Sequence, residues 1–281
     1  MSSAGRDRLG EVVGAIGRRL PGEYPFLSAI VAAEVVFLLL PSMIIFVASL
    51  QGGSTIQFPP SELSLQWYHQ LSAESRFLEA FVRSVGVAVF ATGLAIPVGI
   101  ATALGSIRYD IRFREGISIY LLLPFTVPLV VSGVIFMLLF RELGILGQLW
   151  TVGLALTVIN LPFMIWSVSS RVNALDPELE AAAMNLGAEE LQTFLAVTLP
   201  SLLPGVITGA LIMFVLSLNE FLVSLLIITP ETITLPVLIY TSIRANISPL
   251  IAAVASVYVI VAIIAVFLAD WLVGLEEFLR S

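Results

Sequence analysis

The chain has 281 residues, of which 58% are hydrophobic and only 12% are charged, and its net charge is −7. A soluble domain is about half apolar and about a quarter charged, so this composition indicates an integral membrane protein. The absent residues exclude several chemistries: there is no cysteine, all 13 basic residues are arginine, and His69 is the only histidine. These absences exclude a disulfide framework, a Walker A loop, a Schiff-base lysine and a multi-histidine zinc site.

Six apolar stretches are long enough to cross a bilayer, because a helical span needs about 20 such residues. Backbone polar groups in lipid must be satisfied within the segment, so we predict that each stretch is one helix. The six stretches cover residues 26–50, 79–106, 116–140, 149–170, 202–229 and 249–274. Four prolines in or beside them predict kinks or interruptions: Pro97, Pro124, Pro128 and Pro162.

The distribution of arginine predicts the orientation. With six spans and a cytoplasmic N-terminus, nine arginines lie in inner segments and four in outer segments. This bias favours cytoplasmic termini. The predicted organisation is a cytoplasmic tail over 1–25, a six-helix transmembrane domain over 26–274 with a cytoplasmic loop over 171–200, and a cytoplasmic tail over 275–281.

The second span carries small residues every four positions. Such a face allows a neighbouring helix to approach closely. The residues of this stripe are Ala91, Ala95, Gly99 and Ala103. Gly209 is expected to act similarly on the fifth span.

Three acidic residues fall inside the predicted spans: Glu34, Glu220 and Asp270. A charge at the centre of a membrane helix costs about 2.5–3.5 kcal/mol on insertion scales, so each position needs an explanation. Glu34 is expected to pair with a neighbouring helix. Asp270 is expected to reach the cytoplasmic interface.

Glu220 is the strongest candidate for contact with a solute. Ser217, Glu220 and Ser224 recur at i, i+3 and i+7, which predicts a polar stripe on one helix face. With Asn219 they form the candidate substrate path, where a cationic solute would favour the carboxylate. The alternative is a hydrogen bond between spans or a salt bridge to a partner subunit.

The loop over 171–200 reads as two short helices. Asp176 is a good N-cap, Pro177 suits the first helical position, and Gly187 is placed to end the helix in the left-handed conformation. A second amphipathic stretch covers 189–197. One apolar stripe runs along the first helix: Leu179, Ala182, Ala183 and Leu186.

Two interpretations of the loop are open. The helix pair could rest on the bilayer surface, or it could dock a cytosolic partner. Helices on membrane surfaces usually carry basic residues on their polar face, whereas this loop carries glutamates and a largely alanine stripe. A docking helix is therefore the favoured prediction.

The same loop resembles the EAA loop of binding-protein-dependent ABC importer permeases, whose pattern is Glu-Ala-Ala, three residues, Gly, nine residues, Ile, one residue and Leu-Pro. Four positions match or approximate its second half: Gly187, Val197, Leu199 and Pro200. The first half departs by one position, since its three slots hold alanines: Ala181, Ala182 and Ala183. Glu180 stands immediately before them.

Further segments are similar to the spermidine/putrescine-type permeases of this family. They occur in the same order over roughly residues 60–270, at 64–68, 122–128, 161–163, 217–221, 234–240 and 247–249.

The resemblance implies an all-α, multi-pass inner (plasma) membrane protein with the type I ABC importer permease fold. It implies a second permease subunit, homologous or identical, as well as ABC ATPase subunits and an external substrate-binding protein, but no nucleic acid. The chain itself is expected to be non-catalytic and to hold no cofactor, with ATP and Mg on the ATPase subunits. A small solute, with a polyamine or related cation as the candidate, would pass by alternating access. Bulk at Gly187 is expected to uncouple transport from hydrolysis.

Two other classes of protein compete with this interpretation. A self-sufficient secondary transporter or channel could use Glu34 and Glu220 as ion relays, but it would not need the acidic helix–glycine–helix loop. An intramembrane enzyme is disfavoured, because the spans offer neither a histidine nor a paired-aspartate motif.

Overall fold

The computed structural model describes residues 25–60, 62–108 and 126–273. Within these ranges the regular structure is helical, apart from one isolated antiparallel bridge between Gln51 and Leu63. The helices of the first half are α1 (Pro25–Ser49), α2 (Gln66–Ala73), α3 (Ser75–Arg108), α4 (Leu129–Glu142) and α5 (Leu149–Ala174). The second half contains α6 (Pro177–Asn185), α7 (Glu190–Thr193), a π-helical turn (Phe194–Thr198), α8 (Leu199–Leu218), α9 (Leu222–Ile227), a 3₁₀ turn (Pro230–Thr232), α10 (Leu235–Ala245) and α11 (Pro249–Val273).

Four helical segments are long and apolar enough to cross a membrane: Ile30–Ser49, Ser75–Arg108, Leu149–Ala174 and Glu190–Leu218. They correspond to the first, second, fourth and fifth predicted spans. Helix α11 covers the sixth prediction, and α4 covers the second half of the third. The beginning of the third prediction and Pro124 lie outside the described residues, so the count of six spans stays a prediction.

The other three prolines behave in two ways. Pro128 precedes the first residue of α4 with extended backbone, at ψ 132°, which confirms an interruption there. Helices α3 and α5 continue through Pro97 and Pro162. The two helices are therefore not interrupted at those positions, and a kink at either proline stays a prediction.

Helices α3, α5 and α8 pack most extensively and form the core. The predicted stripe of small residues on α3 is buried against them, which confirms the close approach. Lipid is as apolar as the side chains, so this contact is stabilised by van der Waals packing rather than by removal of surface from water. Part of the core is formed by one cluster: Ala95, Ala103, Met164, Val168, Val172, Leu202, Val206 and Met213.

Helices α5 and α8 are in close contact at Gly205. The Ser167 hydroxyl donates a 2.9 Å hydrogen bond to the Gly205 carbonyl oxygen. A Cβ atom at position 205 would lie 2.8 Å from the Ser167 carbonyl oxygen. Only glycine allows the two backbones to approach so closely here.

Side chains of α2 connect it to the segment that follows α1. The Trp67 indole donates a 2.6 Å hydrogen bond to the Gln51 carbonyl oxygen. The hydroxyls of Tyr68 and Ser49 lie 2.6 Å apart. These contacts hold the short helix against the end of the first span.

Helix α1 is peripheral. It packs mainly on α11, and most of its described side chains are exposed. Glu34 is exposed and makes no hydrogen bond or ion pair within the described ranges of this chain. The expected partner of Glu34 is therefore not supplied by the described helices.

Candidate functional site

The fifth predicted span is interrupted near its end. Helix α8 ends at Leu218 and α9 begins at Leu222, so the prediction of one helix over 202–229 is wrong. The predicted stripe of Ser217, Glu220 and Ser224 on one helix face is wrong for the same reason. Three residues with polar or aromatic side chains separate the two helices: Asn219, Glu220 and Phe221.

Glu220 satisfies the first turn of α9. One carboxylate oxygen, Oε1, accepts a 2.8 Å hydrogen bond from the Val223 amide. The other, Oε2, accepts from the Ser224 amide at 2.9 Å and from the Ser224 hydroxyl at 3.0 Å. Free N–H groups at a helix start attract an acidic side chain, and this attraction explains why the helix restarts directly after Glu220.

The other polar residues of the candidate path lie in two environments: some are buried in helix contacts, and one lines the cavity. Ser217 is buried and lies 3.4 Å from the Asn160 amide nitrogen, which donates to its hydroxyl. Asn219 is exposed, and its side-chain amide donates a 2.8 Å hydrogen bond to the Val215 carbonyl oxygen. Ser224 is 1% exposed, and its side-chain hydroxyl hydrogen-bonds the Glu220 carboxylate.

A cavity of about 650 Å³ lies at this break. Such a volume is typical of a small-molecule pocket, which spans about 300–1,000 Å³. Its walls come from the start of α4, the middle of α5 and the end of α8. Glu220 is the only charged side chain among the described lining residues. The others with polar or aromatic groups are Thr126, Asn160, Phe163, Asn219 and Phe221.

The loop helix α6 begins as predicted. The Asp176 carboxylate accepts a 2.9 Å hydrogen bond from the Glu178 amide, and Pro177 occupies the first helical turn. No residue of α6 is buried. Of its apolar stripe, Leu179 is 53% exposed, and Leu186, directly after the helix, is 90% exposed. Ala182 is exposed and Ala183 is half-buried, so the stripe has no cover within the described chain.

Gly187 ends this helix in the left-handed region, at φ +93°, as predicted. No atom lies within 4 Å of the position that a Cβ would take there. Its amide donates a 2.9 Å hydrogen bond to the Met184 carbonyl oxygen. Backbone conformation, rather than space, therefore selects glycine.

Beyond Gly187 the chain becomes one helical rod. Helix α7, the π-helical turn and α8 follow one another without a break from Glu190 to Leu218. Val197 and Leu199 are half-buried within the rod, and Pro200 lies exposed in the first turn of α8. The loop is thereby continuous with the helix whose other end lines the cavity.

Glu180 faces the chain rather than solvent. Its Oε1 atom lies 2.5 Å from Arg108 Nη2, at the C-terminal end of α3, and also accepts a hydrogen bond from the Thr198 hydroxyl in the π-helical turn. The side chain of Glu180 is 16% exposed, and Thr198 is 1% exposed. We refer to Arg108, Glu180 and Thr198 as the Glu180 cluster.

The sequence pattern does not single out three residues of these sites: Arg108, Asn160 and Thr198. Asn160 could have been identified from the sequence, because it is an asparagine in an otherwise apolar span. Arg108 fits an ordinary role in fixing membrane orientation. Thr198, between Val197 and Leu199, belongs to no sequence pattern that indicates a site. Their proximity to Glu180 arises only from contacts between residues 18 and 72 positions apart.

Comparison with known protein families gives a match over residues 95–277 to "Binding-protein-dependent transport system inner membrane component". Among curated relatives, the spermidine/putrescine transport system permease protein PotC of Haemophilus influenzae is 31% identical over 74% of this chain and 80% of its own length. The putrescine transport system permease protein PotI of Escherichia coli is 29% identical over 90% of this chain and 92% of its own. The molybdenum transport system permease protein ModB of Mycobacterium bovis is 32% identical, but over 50% of this chain and 58% of its own.

Solved structures agree on the fold. A bacterial ABC transporter involved in import of the acidic polysaccharide alginate superposes with a TM-score of 0.68 and 17% identity, over 96% of this chain and 98% of that one. The MetNI methionine ABC transporter gives a TM-score of 0.56 at 20% identity, over 70% of this chain and 93% of that one. The helical arrangement is therefore that of ABC importer permeases.

Proposed function

Since this chain belongs to the family of inner membrane components of binding-protein-dependent transport systems, we propose that it is the permease subunit of an ATP-driven importer. It is a multi-pass inner membrane protein. In the proposed cycle, an external binding protein delivers a small solute and the permease alternates between outward-open and inward-open states. Partner ATPase subunits drive the alternation.

The observation that carries this proposal is the placement of α6. Its apolar stripe is exposed, and a continuous rod over Glu190–Leu218 connects the loop to the cavity. At 1.5 Å per residue the rod is about 40 Å long, enough to cross the hydrocarbon core. A partner that displaces α6 can therefore move a wall of the cavity.

The nucleotide is assigned to the partner. The chain contains no lysine, and a Walker A loop needs one to reach the β- and γ-phosphates. We propose that ATP and Mg are bound and ATP is hydrolysed on ABC ATPase subunits that dock against α6. The chain itself acts as a non-catalytic membrane pathway.

The proposed solute is a polyamine or related cation, and the proposed path includes Ser217, Asn219, Glu220 and Ser224. Glu220 provides the only charge among the described cavity-lining residues, and it is negative. Phe163 and Phe221 line the same cavity, and aromatic faces attract cations. PotC and PotI are named for spermidine and putrescine, which is consistent with this chemistry.

A second permease subunit, homologous or identical, is the proposed neighbour of α1. Most described side chains of this helix are exposed, including Glu34 at a depth where an unpaired charge is costly. A polar group from another subunit would satisfy that carboxylate. The lipid bilayer would cover the rest of the exposed surface.

The test is reconstitution of the complete transporter in proteoliposomes, with the ATPase subunits and the external binding protein. We expect uptake of labelled putrescine or spermidine that requires both partners and ATP, and we expect the ATPase to co-purify with the tagged chain. Thermal-shift assays on the binding protein with polyamines, a neutral sugar and molybdate would identify the solute. Preference for an anion or a neutral sugar would contradict the role of Glu220.

The same experiment distinguishes the alternative. A self-sufficient secondary transporter or channel would support uptake by this chain alone in liposomes, driven by an ion gradient. Uptake without ATPase or binding protein would contradict the importer. The relatives named for transport-system permeases favour the importer instead.

A further inference from the structure

The Glu180 cluster joins three elements that the sequence separates. Arg108 is the last residue of α3, Glu180 lies within α6, and Thr198 ends the π-helical turn before α8. One oxygen of Glu180 contacts both of the others. A single carboxylate therefore ties the loop helix to the inner ends of the second and fifth spans.

Little else fixes α6 against the second span. Helix α6 has no buried residue, and its main packing contacts within the described chain are to α7 and the π-helical turn. The contact from Glu180 to Arg108 is thus its main described connection to α3. Surface ion pairs usually contribute little, but this carboxylate is mostly buried and has a second, fully buried partner.

We propose that Arg108, Glu180 and Thr198 are positioning residues that hold α6 in a fixed place on α3 and α8. This inference rests on the proposed function, in which α6 receives movement from the ATPase. Because of the cluster, displacement of α6 moves the inner ends of both spans together. Without the cluster, α6 can move relative to α3 and α8 by bending of the residues that flank it, and its displacement does not reach the cavity.

The first test separates coupling from folding. Glu180→Gln removes the charge, and Thr198→Val removes the hydroxyl at similar volume. Charge-assisted hydrogen bonds are about twice as strong as neutral ones, so we expect uptake per ATP hydrolysed to fall roughly tenfold for Glu180→Gln. The control is Glu79→Gln, which breaks the Glu79–Arg83 ion pair at the other end of α3; its ratio should stay unchanged.

The amount of solute taken up per ATP hydrolysed distinguishes a positioning role from a merely structural one. If uptake and ATP hydrolysis fall in step, or if Glu180→Gln behaves like Glu79→Gln, the inference is overturned. Arg108→Glu and Glu180→Arg should each lose coupling, whereas the double exchange should recover most of it. Failure of the exchange to recover coupling, in a complex that assembles normally, also contradicts the inference.

The second test uses the absence of cysteine from the chain. Arg108→Cys combined with Glu180→Cys removes the ion pair and introduces two thiols that a short bifunctional reagent can join. We expect a high yield of the cross-link and recovery of uptake once it forms. A cross-link that lowers uptake further would show that α6 must move relative to α3, and it would overturn the inference.

A matched pair controls for non-specific reaction. Glu79→Cys with Glu180→Cys should not cross-link, because position 79 lies about 40 Å from position 108 along α3 at 1.5 Å per residue. If the wild-type transporter shows no ATP-dependent uptake, the proposed function fails. The cross-link yield then decides this inference by itself: a high yield supports the fixed contact, and its absence overturns it.

Discussion

Glu180 in the loop helix α6 and Glu220 at the break of the fifth span are bound in different ways. Glu180 contacts residues 72 and 18 positions away on two other elements. Within the described chain, the Glu220 carboxylate accepts hydrogen bonds from residues three and four positions ahead of it, and it also lines a cavity. The first carboxylate fixes tertiary structure, whereas the second is satisfied locally and remains available to a solute. Variants of the loop should therefore change coupling, and variants of the cavity should change solute recognition.

The largest effect is expected for Glu220→Gln. Hydrogen bonds to a charged group contribute about 1.5–3 kcal/mol, so cation uptake at low solute concentration should fall by about 10- to 100-fold. Transport kinetics in proteoliposomes would measure the change. Glu142→Gln, at an exposed acid outside the cavity, should transport like the wild type. Unchanged uptake by Glu220→Gln would contradict the proposal that Glu220, unlike Glu180, takes part in solute recognition.

Both regions depend on α8, and Gly205→Ala tests that dependence. The added Cβ would press on the Ser167 carbonyl oxygen, and such overpacking typically costs about 1–3 kcal/mol. Thermal unfolding in detergent should show a lower midpoint. Gly86→Ala is the control, since no atom lies within 4 Å of its Cβ position. A Gly205→Ala protein as stable as this control would contradict the close approach of α5 and α8.

Gly187→Val should uncouple transport from ATP hydrolysis. An L-residue in the left-handed region costs about 1–2 kcal/mol, and a β-branched side chain fits it poorly. The reason is conformational rather than steric, so Gly187→Asn should retain coupling, because asparagine tolerates this region. The measurement is solute taken up per ATP hydrolysed. Equal loss in both variants would indicate a steric role instead, and an unchanged ratio for Gly187→Val would contradict a role of Gly187 in coupling.

The smallest effect is expected for Ser224→Ala. It removes one of three hydrogen bonds to the Glu220 carboxylate and leaves the two backbone donors in place. A single hydrogen bond contributes about 1 kcal/mol, so the solute concentration for half-maximal uptake should rise only a few-fold. Ser201→Ala, in the first turns of α8, is the matched control. An effect as large as that of Glu220→Gln would mean that Ser224 itself contacts the solute.

The membrane class, most of the spans, the packing stripe of α3 and both ends of α6 follow from local rules. Composition and run length identify spans because lipid offers no partner for backbone groups. Asp176 and Gly187 were predictable because caps depend on a few neighbouring residues. The departure of Glu180 from the family pattern was also visible in sequence.

The contacts of Glu180 and the cavity beside Glu220 were decided by tertiary structure. The break at residues 219–221 lies in an apolar stretch that hydropathy alone treats as continuous, and the Glu220 carboxylate accepts hydrogen bonds from the first amides of the helix that follows it. The partners of Glu180 come from segments far away in the chain, and no sequence periodicity predicts a contact between such segments. Local sequence thus determined where the polar residues stand, and the packing of α3, α5 and α8 determined which of them touch.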